Sequence, residues 1–153
     1  MTRLPAVFVL LLALNAVVAF AASRDTQWAE VNDAIKKGLP KTAIEKLDPI
    51  IQGALKDKAW GEATMAIARK IVLEGNIQGN KPEEKIVRMD AAIARAPKEI
   101  VPLLDTVQAN WYWHYFLNNR WRFVQRTQTA QTPGKDFTTW DLPRLFAEIE
   151  SCK

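Results

Sequence analysis

Apolar side chains recur at three- and four-residue spacing from about residue 28 to residue 149. Nearly every such stretch is bounded by proline, glycine or a capping acid, which leaves helices as the main local structure open to the chain. Asp25 is placed to cap a first helix with Trp28, Val31 and Ile35 on its apolar face, and Gly38 and Pro40 end it. A second is expected from about Lys41 to Asp57 on Ile44, Leu47, Ile51, Ala54 and Leu55. Pro49 should kink or interrupt it near residue 48. A third runs from about Trp60 to Leu73 on Trp60, Ala63, Ile67 and Ile71, with Gly75 ending it and a polar loop over residues 75–81. Pro82 opens a fourth, with Glu83 and Glu84 suited to the positive end of the helix dipole. Its face is Ile86, Met89, Ala92 and Ile93, and it stops before Pro97.

The fifth starts near Val101, with Pro102 tolerated in a first turn. It presents Leu103, Leu104, Val107 and Trp111 before entering Trp111–Phe116, WYWHYF. Beyond Asn119, RWRFVQRT reads equally as more helix or as a short strand, and TAQTPGKDF reads as a loop. Asp141 caps a last short helix with Pro143 in its first turn and Leu145, Phe146 and Ile149 turned inward. No set of alternating strands is present. The fold expected is all-α, antiparallel helical hairpins or an irregular bundle of about five to six helices, because short links make successive helices antiparallel neighbours. A tetratricopeptide-like pattern around Gly38, Ala43 and Ala54 lacks a second copy at a fixed period.

Residues 1–21 read differently. One basic residue, Arg3, precedes an apolar run from about Ala6 to Val18, and Ala19-Phe20-Ala21 fits the small-x-small pattern of a signal-peptidase site. A spanning helix needs about 20 apolar residues, so a cleaved signal peptide over 1–21 is expected, with no stable membrane anchor afterwards. Cleavage there takes 21 of the 153 residues and leaves 132, one helical domain over 22–153. It also takes Arg3, so a formal charge of +4 becomes +3, too mild to call for nucleic acid. Export to the periplasm or beyond is the expected localisation. Cys152 is the sole cysteine, which excludes an internal disulfide and leaves stability to packing.

The residues give little chemistry. His114 is the only histidine and has no cysteine or histidine partner nearby in sequence, so the common zinc sites are not expected. A Cys–His pair would need Cys152, at an expectedly frayed terminus, to meet His114, expected as a partly buried neighbour of aromatics. No GxGxxG, GKS/GKT or GxSxG sequence occurs. Asp136 and Asp141 read as loop and cap residues. No catalytic, metal or cofactor-binding residue is assigned, and no enzyme activity is expected.

The unusual feature is a block in which Trp111, Trp113, Tyr115 and Trp121 stand among Arg120, Arg122 and Arg126. Arginine beside tryptophan makes cation–π contacts and can grip an acidic, sugar-bearing or lipid surface. Alternatively the rings fill a core and the arginines stack on them. Aromatics at 111, 112, 113, 115 and 116 cover all sides of a helix, so some cannot face one core. A core or domain interface is the expectation, and these seven residues are the candidate interaction set.

The stretch ANWYWHYFLNNRWRFVQRT (Ala109 to Thr127), with DFTTWDLPRLFAEI (Asp136 to Ile149), resembles the N-terminal helical region of large bacterial alpha-2-macroglobulin-family proteins. Trp28, Gly38-Leu39-Pro40 and Ala43 are similar to it more loosely. In that family the region precedes β-sandwich domains, a bait segment and a thioester domain that together trap proteases. This sequence carries none of these: Cys152 is followed only by Lys153, so there is no CxEQ-type thioester motif. The resemblance therefore implies a truncated gene product, the N-terminal piece of a larger protein, or a module that works alone. Two functions follow. One is a non-catalytic exported interaction module that docks onto protein domains, including the missing β domains, and does not trap proteases by itself. The other is a free-standing envelope protein that binds glycan or anionic lipid through the Trp/Arg cluster.

Overall fold

The computed structural model describes residues 24–79, 81–125, 134 and 136–152. Among these residues the chain is all-α: six helices, one short 3-10 turn and no strand. The helices are α1 (residues 24–36), α2 (Pro40–Lys56), α3 (Trp60–Ile77), α4 (Pro82–Ile93), α5 (Val101–Val124) and α6 (Leu142–Ser151), with the turn at Phe137–Thr139. The expected signal segment lies outside the described residues.

The first two links are built alike. At the end of α1, Gly38 takes φ +68°, its N–H donates to the Ile35 carbonyl, and the Leu39 N–H donates to Ala34 at 2.9 Å. At the end of α2, Lys58 takes φ +57° with the same pair of bonds, to Leu55 and, at 2.8 Å, to Ala54. Both are left-handed C-terminal caps that satisfy otherwise orphaned carbonyls. Lysine in the left-handed region is strained where glycine is not, and that hides the likeness of the two turns from composition alone.

Pro40 does not merely end α1; it is the first residue of α2, where its missing N–H costs nothing. Asp25 lies inside α1 and therefore is not its cap. α2 continues through Pro49 without interruption, contrary to expectation, with the proline ring exposed. Its buried residues are Ala43, Leu47, Ile50 and Ala54, so the inward stripe is shifted from Ile44 and Ile51, which are half-buried. Gly75 likewise does not end α3. It is buried two residues before the helix finishes, and the turn falls at Gly79, φ +100°.

Proline inside a helix removes one backbone hydrogen bond and crowds the carbonyl four residues back. Pro49 is exposed, so alanine there would lose no packing. Pro49→Ala should stabilise the protein by about 1–2 kcal/mol, the helix gain of up to about 3 being offset by greater freedom of the unfolded chain. Urea unfolding checks this; an unchanged or lower midpoint would count against it.

The core is laid out in series along the stack. Val31 and Ala34 of α1 meet Ala43, Leu47 and Ile50 of α2 and Ala66 of α3. Next, Ala54, Ala63, Ile71, Met89, Ile100 and Leu104 join α2, α3, α4 and α5. At the far end Ile86, Tyr112, Tyr115, Phe123, Phe137, Trp140 and Leu145 form an aromatic cluster among α4, α5, the 3-10 turn and α6. Alanines at 43, 54, 63 and 66 let α2 and α3 approach closely, whereas the last cluster fills a wider gap with rings. Arg24, the first described residue of α1, pairs with Asp57 and, at 2.8 Å, with Glu62. Glu62 also accepts from Trp28 Nε1 at 2.9 Å.

Candidate interaction surface

α5 carries the aromatic block, and its 24 residues reach from the middle cluster into the aromatic one. Its early part follows the expected helical spacing, with Leu104 and Gln108 buried, although Leu103 is 40% exposed and not inward. Helix continues through RWRFV, so the strand alternative for that segment falls. The helix bends at Asn119, whose φ of −127° and ψ of 17° are not helical and whose Nδ2 donates to the Tyr115 carbonyl at 3.0 Å. Beyond the bend Phe123 returns to the core, meeting Tyr115 and Phe116 at ring-centroid distances of 6.0 Å.

The seven candidate residues do not share one role. Tyr115 belongs to the core at 3% exposure, stacked edge-on against Phe137, and its hydroxyl donates to Glu83 at 3.0 Å. Arg122 donates to that hydroxyl at 3.5 Å, so it helps to anchor the end of α5 to the start of α4. Trp111 is half-buried between the middle and aromatic clusters, with Lys85 Nζ 5.4 Å from its ring centroid. Among the described residues the cation over this ring is thus a lysine from α4, and not Arg120 or Arg122. Arg126 lies outside the described residues.

Trp113, Trp121 and Arg120 remain exposed, and with them Leu117 and Val124, which the sequence reading did not single out. Trp113 and Leu117 share a face before the bend at Asn119, and Trp121 and Val124 share one beyond it, so the four exposed residues make an apolar stripe in two segments. Their exposures are 43%, 45%, 63% and 65%. Trp113 is braced from the side by Phe116 at 5.5 Å and Phe146 at 6.3 Å, which leaves a supported ring facing outward. Arg120 adds a positive charge beside the stripe and has no carboxylate partner among the described residues. The signal for Leu117 and Val124 was present in their spacing from Trp113 and Trp121. It was masked because the rings around them fill every side of the helix.

Capping of α6 is as expected: Asp141 accepts from the Arg144 N–H at 2.9 Å. Leu145 is fully buried, and Arg144 lies 4.6 Å from the Trp140 ring centroid. Two expectations fail. His114 is exposed and lines only a small pocket of about 60 Å³ with Lys85 and Asn118. Cys152 is not at a frayed end but buried, its Sγ 4.0 Å from Gln108 Oε1, and Gln108 in turn donates to Asp90. Burial, helped by Asp105 and Glu148, pushes the Cys152 thiol up to about 11. Burial also raises the Tyr112 hydroxyl and the Asp105 carboxyl above their ordinary values.

Among the described residues no three His, Cys, Asp or Glu side chains converge as a metal site, and no helix is long and apolar enough to cross a membrane. No protein-family model, curated protein or solved structure matches this chain.

Proposed function

We propose that this protein is a non-catalytic, exported interaction module that docks onto a protein domain through the outer face of α5. The carrying observation is the stripe of Trp113, Leu117, Trp121 and Val124, mounted on a helix whose opposite side is locked into the core. Isolated surface apolar residues are ordinary, but four large ones in one stripe, two of them tryptophans, form the kind of patch that binds partners. The resemblance to the N-terminal helical region of alpha-2-macroglobulin-like proteins supports the same reading. There such a module would sit against β domains and would not trap proteases by itself.

The test compares wild type with a Trp113→Ser/Trp121→Ser variant. Anchoring tryptophans contribute about 2 kcal/mol or more each to binding, so affinity for envelope protein should fall about thirtyfold for one ring and several hundredfold for both. Trp121 is mostly exposed and its loss should change stability little, whereas Trp113 also packs on Phe116 and Phe146, so the variant's folding is checked by urea unfolding before binding is compared. Retention of wild type on anionic phospholipid vesicles or on peptidoglycan, lost in the variant, would instead select the glycan- or lipid-binding alternative.

A further inference from the structure

We propose that the cleft among α2, α3 and α4 binds a linear peptide segment of a partner protein, one that carries a branched aliphatic side chain beside a carboxylate. This site is made by other helices than the α5 stripe and does not depend on it. The cleft encloses about 450 Å³, within the range of about 300–1,000 Å³ typical of small-ligand sites. That is room for a few side chains and not for a folded domain. Ile51, Ile67, Ile71 and Ala92 make its floor, so its apolar part is aliphatic and offers no ring to stack on.

Charge decides the rest. Toward the C-terminal end of α3, Lys70 pairs with Asp48 and Glu74 accepts from Arg88 at 3.0 Å, so those four groups neutralise one another. α2 and α4 run antiparallel to α3, which leaves Gln52 and Arg95 beside the other end of the floor. Arg95 donates from Nε to the Ala91 carbonyl at 2.9 Å, which fixes its plane, and has no carboxylate partner among the described residues. An oriented cation with open N–H groups beside an aliphatic floor fits a carboxylate next to an aliphatic side chain. One open cation matches a single carboxylate better than a phosphate dianion, because the other two cations of the cleft, Lys70 and Arg88, are already paired.

The experiment pans a phage-displayed library of random dodecapeptides against the full chain, then measures a synthetic consensus peptide by fluorescence anisotropy. Enrichment of Leu, Ile or Val next to Asp or Glu is expected. Arg95→Glu should weaken the consensus peptide by about tenfold or more, as one charge-assisted hydrogen bond implies. Replacing the peptide's acid by its amide should weaken it similarly on wild type, with little further loss on Arg95→Glu. Trp121→Ala should leave binding unchanged. The proposal falls if no such motif is enriched, if acid and amide peptides bind wild type alike, or if Trp121→Ala abolishes binding.

Discussion

Trp111→Ala should destabilise the protein by about 3–5 kcal/mol, the range for deleting a large ring from a packed site. Trp111 is the residue that touches both the middle and the aromatic clusters. Its loss therefore opens the seam between the two halves of the stack and also strips the ring from beneath the Lys85 ammonium. A domain of this size has a total stability on the order of 5–15 kcal/mol, so the variant should lose between about a fifth and all of it. The internal comparison is Trp121→Ala. That ring is 63% exposed, and its removal should stay within about 0.5 kcal/mol of wild type. Urea unfolding of both variants followed by circular dichroism separates them. Equal, small effects would mean that the seam is held elsewhere.

Native Cys152 should react with Ellman's reagent at pH 8 about a hundredfold more slowly than the same thiol in urea. The thiolate is the reactive form, and a thiol moved from 9.0 to about 11 holds about a hundredth as much of it. The same shift has a sign for stability. Below about pH 9 the thiol is neutral in both folded and unfolded chains, so stability is unaffected there. Between about 9 and 11 the unfolded chain ionises first, and folding stability falls as pH rises. Cys152→Ala should remove the loss that begins near pH 9 and leave the part from Tyr112, which burial also raises and which begins near its ordinary value of 10.0. A native thiol that reacts as fast as the unfolded one would show that the last turn of α6 does not hold it closed.

The helices were legible because their ends were written locally. Pro82, Pro102, Pro143 and the Asp141 cap stand at helix starts, and Gly38 stands at a left-handed stop. Errors came where a local rule was outweighed. Pro49 is tolerated because α2 is held along its inner face by α1 and α3, and packing there exceeds one lost hydrogen bond. Gly75 read as a stop, yet only φ distinguishes a capping glycine from one inside a helix. Lys58 failed in the opposite direction, taking the left-handed turn that composition assigns to glycine.

By itself the sequence determined the all-α class, the number and order of the helices, and that a tryptophan-rich block on the fifth would exceed what one core could enclose. These follow from periodicity, caps and the area of the rings, which are properties of neighbours in the chain. Only the tertiary structure decided which ring went where. Tyr112 and Tyr115 face Phe137, Trp140 and Leu145, which arrive from more than 20 residues downstream, and the bend at Asn119 sends Phe123 inward and leaves Trp121 outside. The α2–α3–α4 cleft was equally invisible, because its floor comes from three helices and Arg95 from the turn after α4. Helical spacing settles which residues share a face. The elements that cover that face settle whether it becomes core or surface.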